Sequence, residues 1–216
     1  INEVLASNTS VNADEDGNYE DWVEIYNYGA TSVNLNGLGL TDNPAVPFRW
    51  AFPNMTLNAG QYLLVWCSDK NRITVGNPLH TNFKISSSGE TIVLTNPSGT
   101  TLQTVNPVGL QSDVSYGRFP NATGAFTFFL PATPNALNNS TTYAEVLSEP
   151  VFSQNSGFYT SGFNLSLSSA EIGTTIIYTL DGSEPNENNL AGTTYSYKVH
   201  YPEFPGQYFG SLLQFS

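Results

Sequence analysis

The sequence has little of what a catalyst or a nucleic-acid binder requires. Its 216 residues include a single cysteine, Cys67, so no internal disulfide can form and no cysteine cluster can hold a metal. The two histidines, His80 and His200, are not spaced as a ligand pair, and no Gly-x-Ser-x-Gly elbow marks a serine nucleophile. Six basic residues stand against 18 acidic ones, a net charge of -12, which repels phosphate backbones and anionic headgroups and excludes nucleic acid as a partner. No apolar run reaches the roughly 18 residues of a membrane-spanning helix. No stretch carries the 3.6-residue periodicity of an amphipathic helix either.

What is present points to β structure. Aromatic residues make up 13% of the chain and charged residues only 11%, so the fold rests on apolar and aromatic burial under a surface of Asn, Ser and Thr. Residues 20–27, EDWVEIYN, alternate polar with apolar side chains and read as a buried strand. A turn at 28–31 leads to a second alternating run at 33–40, and the two are expected to pair as a hairpin. The terminal INEVLA reads as an edge strand, and 61–67, QYLLVWC, as the most apolar, central one. Runs at 91–96 and 102–105 form a further hairpin, and 113–119 and 126–130 flank the turn at 120–124. Many short strands separated by frequent turns predict an all-β sandwich.

Between the first two strands lies an acidic loop with Asp14, Glu15, Asp16, Asn18, Glu20 and Asp21 in eight positions. Asp14, Asp16 and Asn18 place oxygen ligands at alternate positions, as calcium loops do. Gly17 and the absence of a matching bidentate Glu depart from the EF-hand pattern, so a solvated turn and a calcium site both stay open. Calcium is the one cofactor the sequence suggests.

INEVLA, DWVEIYN, VNLNGLGLTD, WAFP, LNAGQYLLVW, FKISSSGETIVL, SYGRFP and the TPN at 133–135, in that order, resemble the lamin-tail domain, an immunoglobulin-like sandwich. FSQNSGFY and YTLDGSEPN resemble the C-terminal chitobiase-like domain, a small fibronectin-like sandwich. These likenesses divide the chain into a lamin-tail-like domain at 1–136, an Asn/Ser/Thr-rich linker at 137–149 and a second β domain at 150–216, expected to be truncated because its later strands are hard to find. The resemblance implies a noncatalytic accessory module of a larger secreted or cell-surface bacterial protein, spacing or docking neighbouring domains. It carries no catalytic residue set, and the acidity of this chain departs from a chromatin-binding version. The opening at Ile1, with neither Met nor a basic leader, is expected of a piece or mature form of a longer protein.

Four side-chain groups remain as candidates for function. Cys67 and His80 would make a thiol dyad only if Cys67 left its apolar strand, where a small core residue is the expectation. Glu20 and Glu24 share a strand face that Glu3 can approach, as an acid–base pair or as part of a solvated sheet face, the second being expected. Trp22, Trp50, Trp66, Tyr26, Tyr28 and Tyr62 either fill the core or supply a platform for sugar rings, which keeps carbohydrate binding as an alternative. The tail aromatics Tyr195, Tyr197, Tyr201, Phe204, Tyr208 and Phe209 are too many for so short a segment to bury and are expected to dock a neighbouring domain, surface protein or glycan. Six Asn-x-Ser/Thr sequons, at Asn8, Asn54, Asn121, Asn138, Asn139 and Asn164, matter only in a eukaryotic secretory host.

Overall fold

The computed structural model describes residues 1–106, 108–179 and 185, and among these every regular element is a strand. The chain divides into two compact units, Ile1–Val146 and Leu147–Ser216. In the first unit the strands run β1 (Glu3–Leu5), β2 (Asp21–Tyr26), β3 (Val33–Asn34), β4 (Gly39–Thr41), β5 (Trp50–Ala51), β6 (Thr56–Leu57) and β7 (Tyr62–Cys67). They continue with β8 (Leu79–His80), β9 (Ile92–Thr95), β10 (Thr101–Val105), β11 (Ser115–Phe119), β12 (Ala125–Phe129) and β13 (Thr142–Tyr143).

A seven-stranded sheet in the order β13-β12-β11-β1-β2-β7-β8 faces a four-stranded sheet, β10-β9-β4-β5, and a short β3-β6 ladder closes one side. Val4, Val23, Ile25, Val65 and Cys67 from the large sheet meet Leu40, Trp50, Ile92, Leu94 and Val105 from the small one in a single apolar core. Residues two apart along a strand share a face, so Trp22 and Glu24 point away from that core. That outer face is also covered. Leu5, Trp22 and Trp66 form a second cluster on it, packed beneath Val11, Leu64 and Ala132.

Two pairings differ from the sequence reading. β2 is bonded on one edge to β1 and on the other to β7, with Glu3 opposite Glu24 and Tyr26 opposite Tyr62. The run at 33–40 instead sends β3 to β6 and β4 to β5 and β9. With both edges of β2 occupied, the 28–32 turn is a crossing between sheets and not a hairpin. The terminal strand is likewise interior: β1 lies between β11 and β2. The β9–β10 and β11–β12 hairpins form where the turn residues place them.

The stretch read as a linker from residue 137 contributes to the first unit, since Asn138 is buried and β13 pairs with β12. In the second unit β14 (Val151–Phe152) pairs antiparallel with β15 (Leu167–Ser168), and the Tyr159 and Phe163 rings lie 4.4 Å apart. Residues 174–179, which open into the YTLDGSEPN motif, hold no strand pairing among the described residues. Asp181 and Gly182 of the YTLDGSEPN motif, His200 and the six tail aromatics Tyr195, Tyr197, Tyr201, Phe204, Tyr208 and Phe209 lie outside the described residues.

Candidate functional site

Glu3 and Glu24 face each other across β1 and β2, and both are fully buried. The expected solvated sheet face is therefore corrected, because the segment after β12 folds back over it. Glu3 accepts bonds from the Ser115 hydroxyl, the Thr133 N–H at 3.0 Å and the Thr133 hydroxyl at 2.7 Å. Glu24 accepts from Asn2 Nδ2 at 2.9 Å and from the Asn135 N–H. Asn2 Nδ2 also reaches Asn121 Oδ1 at 3.1 Å and Asn138 Oδ1 at 3.0 Å, while Asn138 Nδ2 donates to the Arg118 carbonyl. Burial pushes the Glu24 carboxyl up to about 8, reinforced by the neighbouring Glu3, whose own pKa burial also raises. Every carboxylate oxygen of the pair meets donors of the chain itself, in a latch joining β1, β2, β11 and the 133–138 segment. Glu20, the third member of the set, is partly exposed and pairs with Lys84 at 3.2 Å.

The acidic loop is tied down at the other end of the outer face. Asp14 is buried, and its Oδ1 accepts the N–H groups of Asp16 and Asn18, each at 2.9 Å. Lys70 Nζ bonds both Asp14 and Asp16, and Arg72 bridges Glu15 and Asp16. Burial would raise the Asp14 pKa, but the Lys70 bond and the two N–H donors outweigh it and lower it. Hydrogen bonds from Arg72 and Lys70 hold Asp16 at about 2.

His80, fully buried, places Nε2 3.0 Å from the Glu15 carboxylate and Nδ1 2.7 Å from Ser68 Oγ. This is a serine–histidine–carboxylate line, but Ser68 is only 5% exposed and Lys70 N–H already points at its hydroxyl. One ligand atom each from Asp14, Glu15 and His80 lies within 4.8 Å of the others, and the cationic groups of Lys70 and Arg72 occupy the same cluster. Cys67 belongs to the inter-sheet core, where burial pushes its thiol well up, and it forms no dyad with His80.

All three tryptophans are buried. Tyr26 and Tyr62 stack at 4.1 Å with their planes 9° apart, a cross-strand pair worth about 0.5–1.5 kcal/mol beyond its burial. Of the six candidate platform residues, Tyr28 is the one that stands well out into solvent, at 63% exposure.

Tyr28 lines an open groove of about 430 Å³ where β2 and β11 end beside the start of β1. Tyr26 and Tyr28 form one side, the 119–123 turn another, and Leu137, Asn138 and Asn139 a third. Its floor is the upper surface of the latch, for Asn121 Nδ2 donates to the Tyr62 hydroxyl and Asn121 Oδ1 accepts the Asn138 N–H. Sequence reading missed Phe119, Asn121, Leu137 and Asn139, which come from segments that meet only after folding. The one signal was TPN at 133–135, which opens the segment that closes the latch.

A large sheet carrying a buried carboxylate latch, packed on a smaller sheet with no helix among the described residues, defines an immunoglobulin-like β-sandwich. More narrowly, residues 1–109, just over half of the chain, match the model of the Lamin Tail Domain family, and the chain belongs to that family. Residues 154–199 match the Chitobiase/beta-hexosaminidase C-terminal domain. Neither a curated protein nor a solved structure matches the chain significantly.

Proposed function

We propose that this chain is a noncatalytic accessory module of a larger secreted or cell-surface protein of bacterial type, and that it docks a partner at the groove end of its large sheet. One observation carries this reading. The groups in the first unit with most capacity for chemistry, Glu3, Glu24, His80, Ser68 and Cys67, are buried, while the groove presents aromatic and amide side chains. The two matched families, both β modules, support an accessory role. No helix among the described residues is long and apolar enough to cross a membrane. A second β domain from about residue 150, after a first unit that runs to Val146, is part of this reading, with the tail aromatics as a second docking surface.

Carbohydrate binding through exposed aromatics is the second reading, favoured by the groove that Tyr28 lines. Calcium-stabilised adhesion through Asp14, Asp16 and Asn18 is the weaker alternative, because Lys70 and Arg72 already neutralise that loop. Incubated with chromogenic glycosides, phosphate esters and peptides, the 216-residue chain is expected to turn over none of them. Turnover that disappears in Glu24→Gln or Glu3→Gln would overturn the noncatalytic reading.

A further inference from the structure

We infer that the groove bounded by Tyr28, Phe119, Asn121, Leu137 and Asn139 is a binding site for a neutral oligosaccharide. This names the partner class of the docking surface proposed above and rests on that proposal. None of the ten lining residues is ionisable as an acid or base near neutrality, apart from the two tyrosine hydroxyls, on a chain whose net charge is -12. An acidic glycan would be repelled by the field of the whole chain, and a basic peptide would find no carboxylate within the groove to pair with.

Tyr28 is 63% exposed, Phe119 47% and Leu137 52%, so the walls offer apolar and aromatic area without burying it inside the chain. A pyranose presents an apolar C–H face that covers such rings and a rim of hydroxyls that both donate and accept. The exposed side chains of Asn139 and Thr123 supply donor and acceptor atoms together at the same groove. A proline-rich peptide would also suit aromatic walls, but its tertiary amides bring acceptors without donors, leaving carboxamide oxygens unmatched.

Asn121 and Asn138 are held by bonds to Asn2, Tyr62 and Arg118, so the floor is fixed before any ligand arrives, which lowers the ordering cost of binding. A volume of about 430 Å³ lies within the range of roughly 300–1,000 Å³ that small-ligand sites occupy.

The test titrates the 216-residue chain by calorimetry with three sets of probes: neutral oligosaccharides of hexose and N-acetylhexosamine units, uronic-acid oligosaccharides, and proline-rich peptides. Backbone amide NMR follows which residues respond. A neutral oligosaccharide is expected to bind with a dissociation constant on the order of 10⁻⁴ M and to shift the signals of Tyr28, Ala122 and Asn139. Tyr28→Ala is expected to weaken it about tenfold or more, whereas Tyr28→Phe, which keeps the ring, retains it. Uronic-acid oligomers are expected to bind more weakly.

No neutral oligosaccharide shifting those signals would overturn the inference, as would binding that Tyr28→Ala together with Phe119→Ala leaves unchanged. If a proline-rich peptide binds the groove and no sugar does, the inference falls while the docking proposal stands. If a bound sugar is cleaved, the noncatalytic reading falls and the sugar-binding inference survives.

Discussion

At the scale of single residues, the latch constrains even a position with no side chain. Gly117 lies opposite Glu3 in the β1–β11 register, and a Cβ built there would sit 2.8 Å from Asn138 Nδ2, 3.0 Å from Glu3 Cγ and 3.1 Å from the Asn2 carbonyl. Backbone and two network side chains would have to shift together. Gly117→Ala is therefore expected to destabilise the first unit by about 1–3 kcal/mol, the usual cost of overpacking. Urea denaturation followed by tryptophan emission reads this directly, because Trp22, Trp50 and Trp66 all belong to that unit. An unchanged midpoint would mean that the latch yields without strain. In the sequence this position is one more glycine in SYGRF, since its neighbours are supplied by residues 2, 3 and 138.

At the scale of elements, the acidic loop depends on a segment far along the chain. Asp14 and Asp16 share Lys70, and Glu15 and Asp16 share Arg72, both cations lying between β7 and β8. Exposed ion pairs contribute little singly, but these two cations serve several carboxylates at once and remove the repulsion that a divalent ion would otherwise relieve. Melting temperature is accordingly expected to be the same in millimolar calcium and in chelator. A rise with calcium would instead assign a bound ion to the loop, because a ligand held only by the folded state raises apparent stability.

The turns that join neighbours in sequence were legible in the chain, as the β9–β10 and β11–β12 hairpins show. The pairing of β2 with β1 and β7 was not. Alternation tells which residues share a face but not which strand lies alongside.

At the scale of the whole molecule, buried and bonded carboxyls pull the pH of greatest stability in opposite directions. Burial raises Glu24 from an ordinary 4.5 to about 8 and Asp21 from 3.8 to about 6. A raised carboxyl gives its full stabilisation below its unfolded value, and that contribution is lost as pH rises through the folded one. Hydrogen bonds work the other way on two further groups. Those from Arg72 and Lys70 to Asp16, and those from Ser10 and Thr9 that outweigh burial at Asp113, lower both to about 2. Their contribution is present above about 4 and is lost as pH falls through about 2.

Against these carboxyls, burial and Arg118 lower the Ile1 ammonium from 8.0 to about 5, so it restores stability across the same pH window in which Glu24 loses it. The melting temperature of the first unit is therefore expected to fall between about pH 4 and about pH 6, where the Asp21 contribution is lost, and to change little from there to about pH 8. Glu24→Gln removes the Glu24 loss and leaves the Ile1 gain, so its melting temperature is expected to rise relative to wild type between about pH 5 and about pH 8. Wild-type and Glu24→Gln profiles that run parallel from about pH 5 to about pH 8 would show that Glu24 is ionised at little cost.

The sequence by itself determined the all-β class and the burial of Cys67, which follow from local alternation and composition, and the lamin-tail likeness, which rests on motifs in a fixed order along the chain. None of these depends on what touches what. Tertiary structure alone decided that Glu3 and Glu24 are buried, that Lys70 and Arg72 neutralise the acidic loop, and that Tyr28 and Phe119 share a groove. Partners separated by 50 to 136 positions are brought together only by the sheet order and by the return of the 133–138 segment over the outer face. A strand's period of two names the face on which a side chain lies, but whether that face meets water is set by chain that arrives from far away.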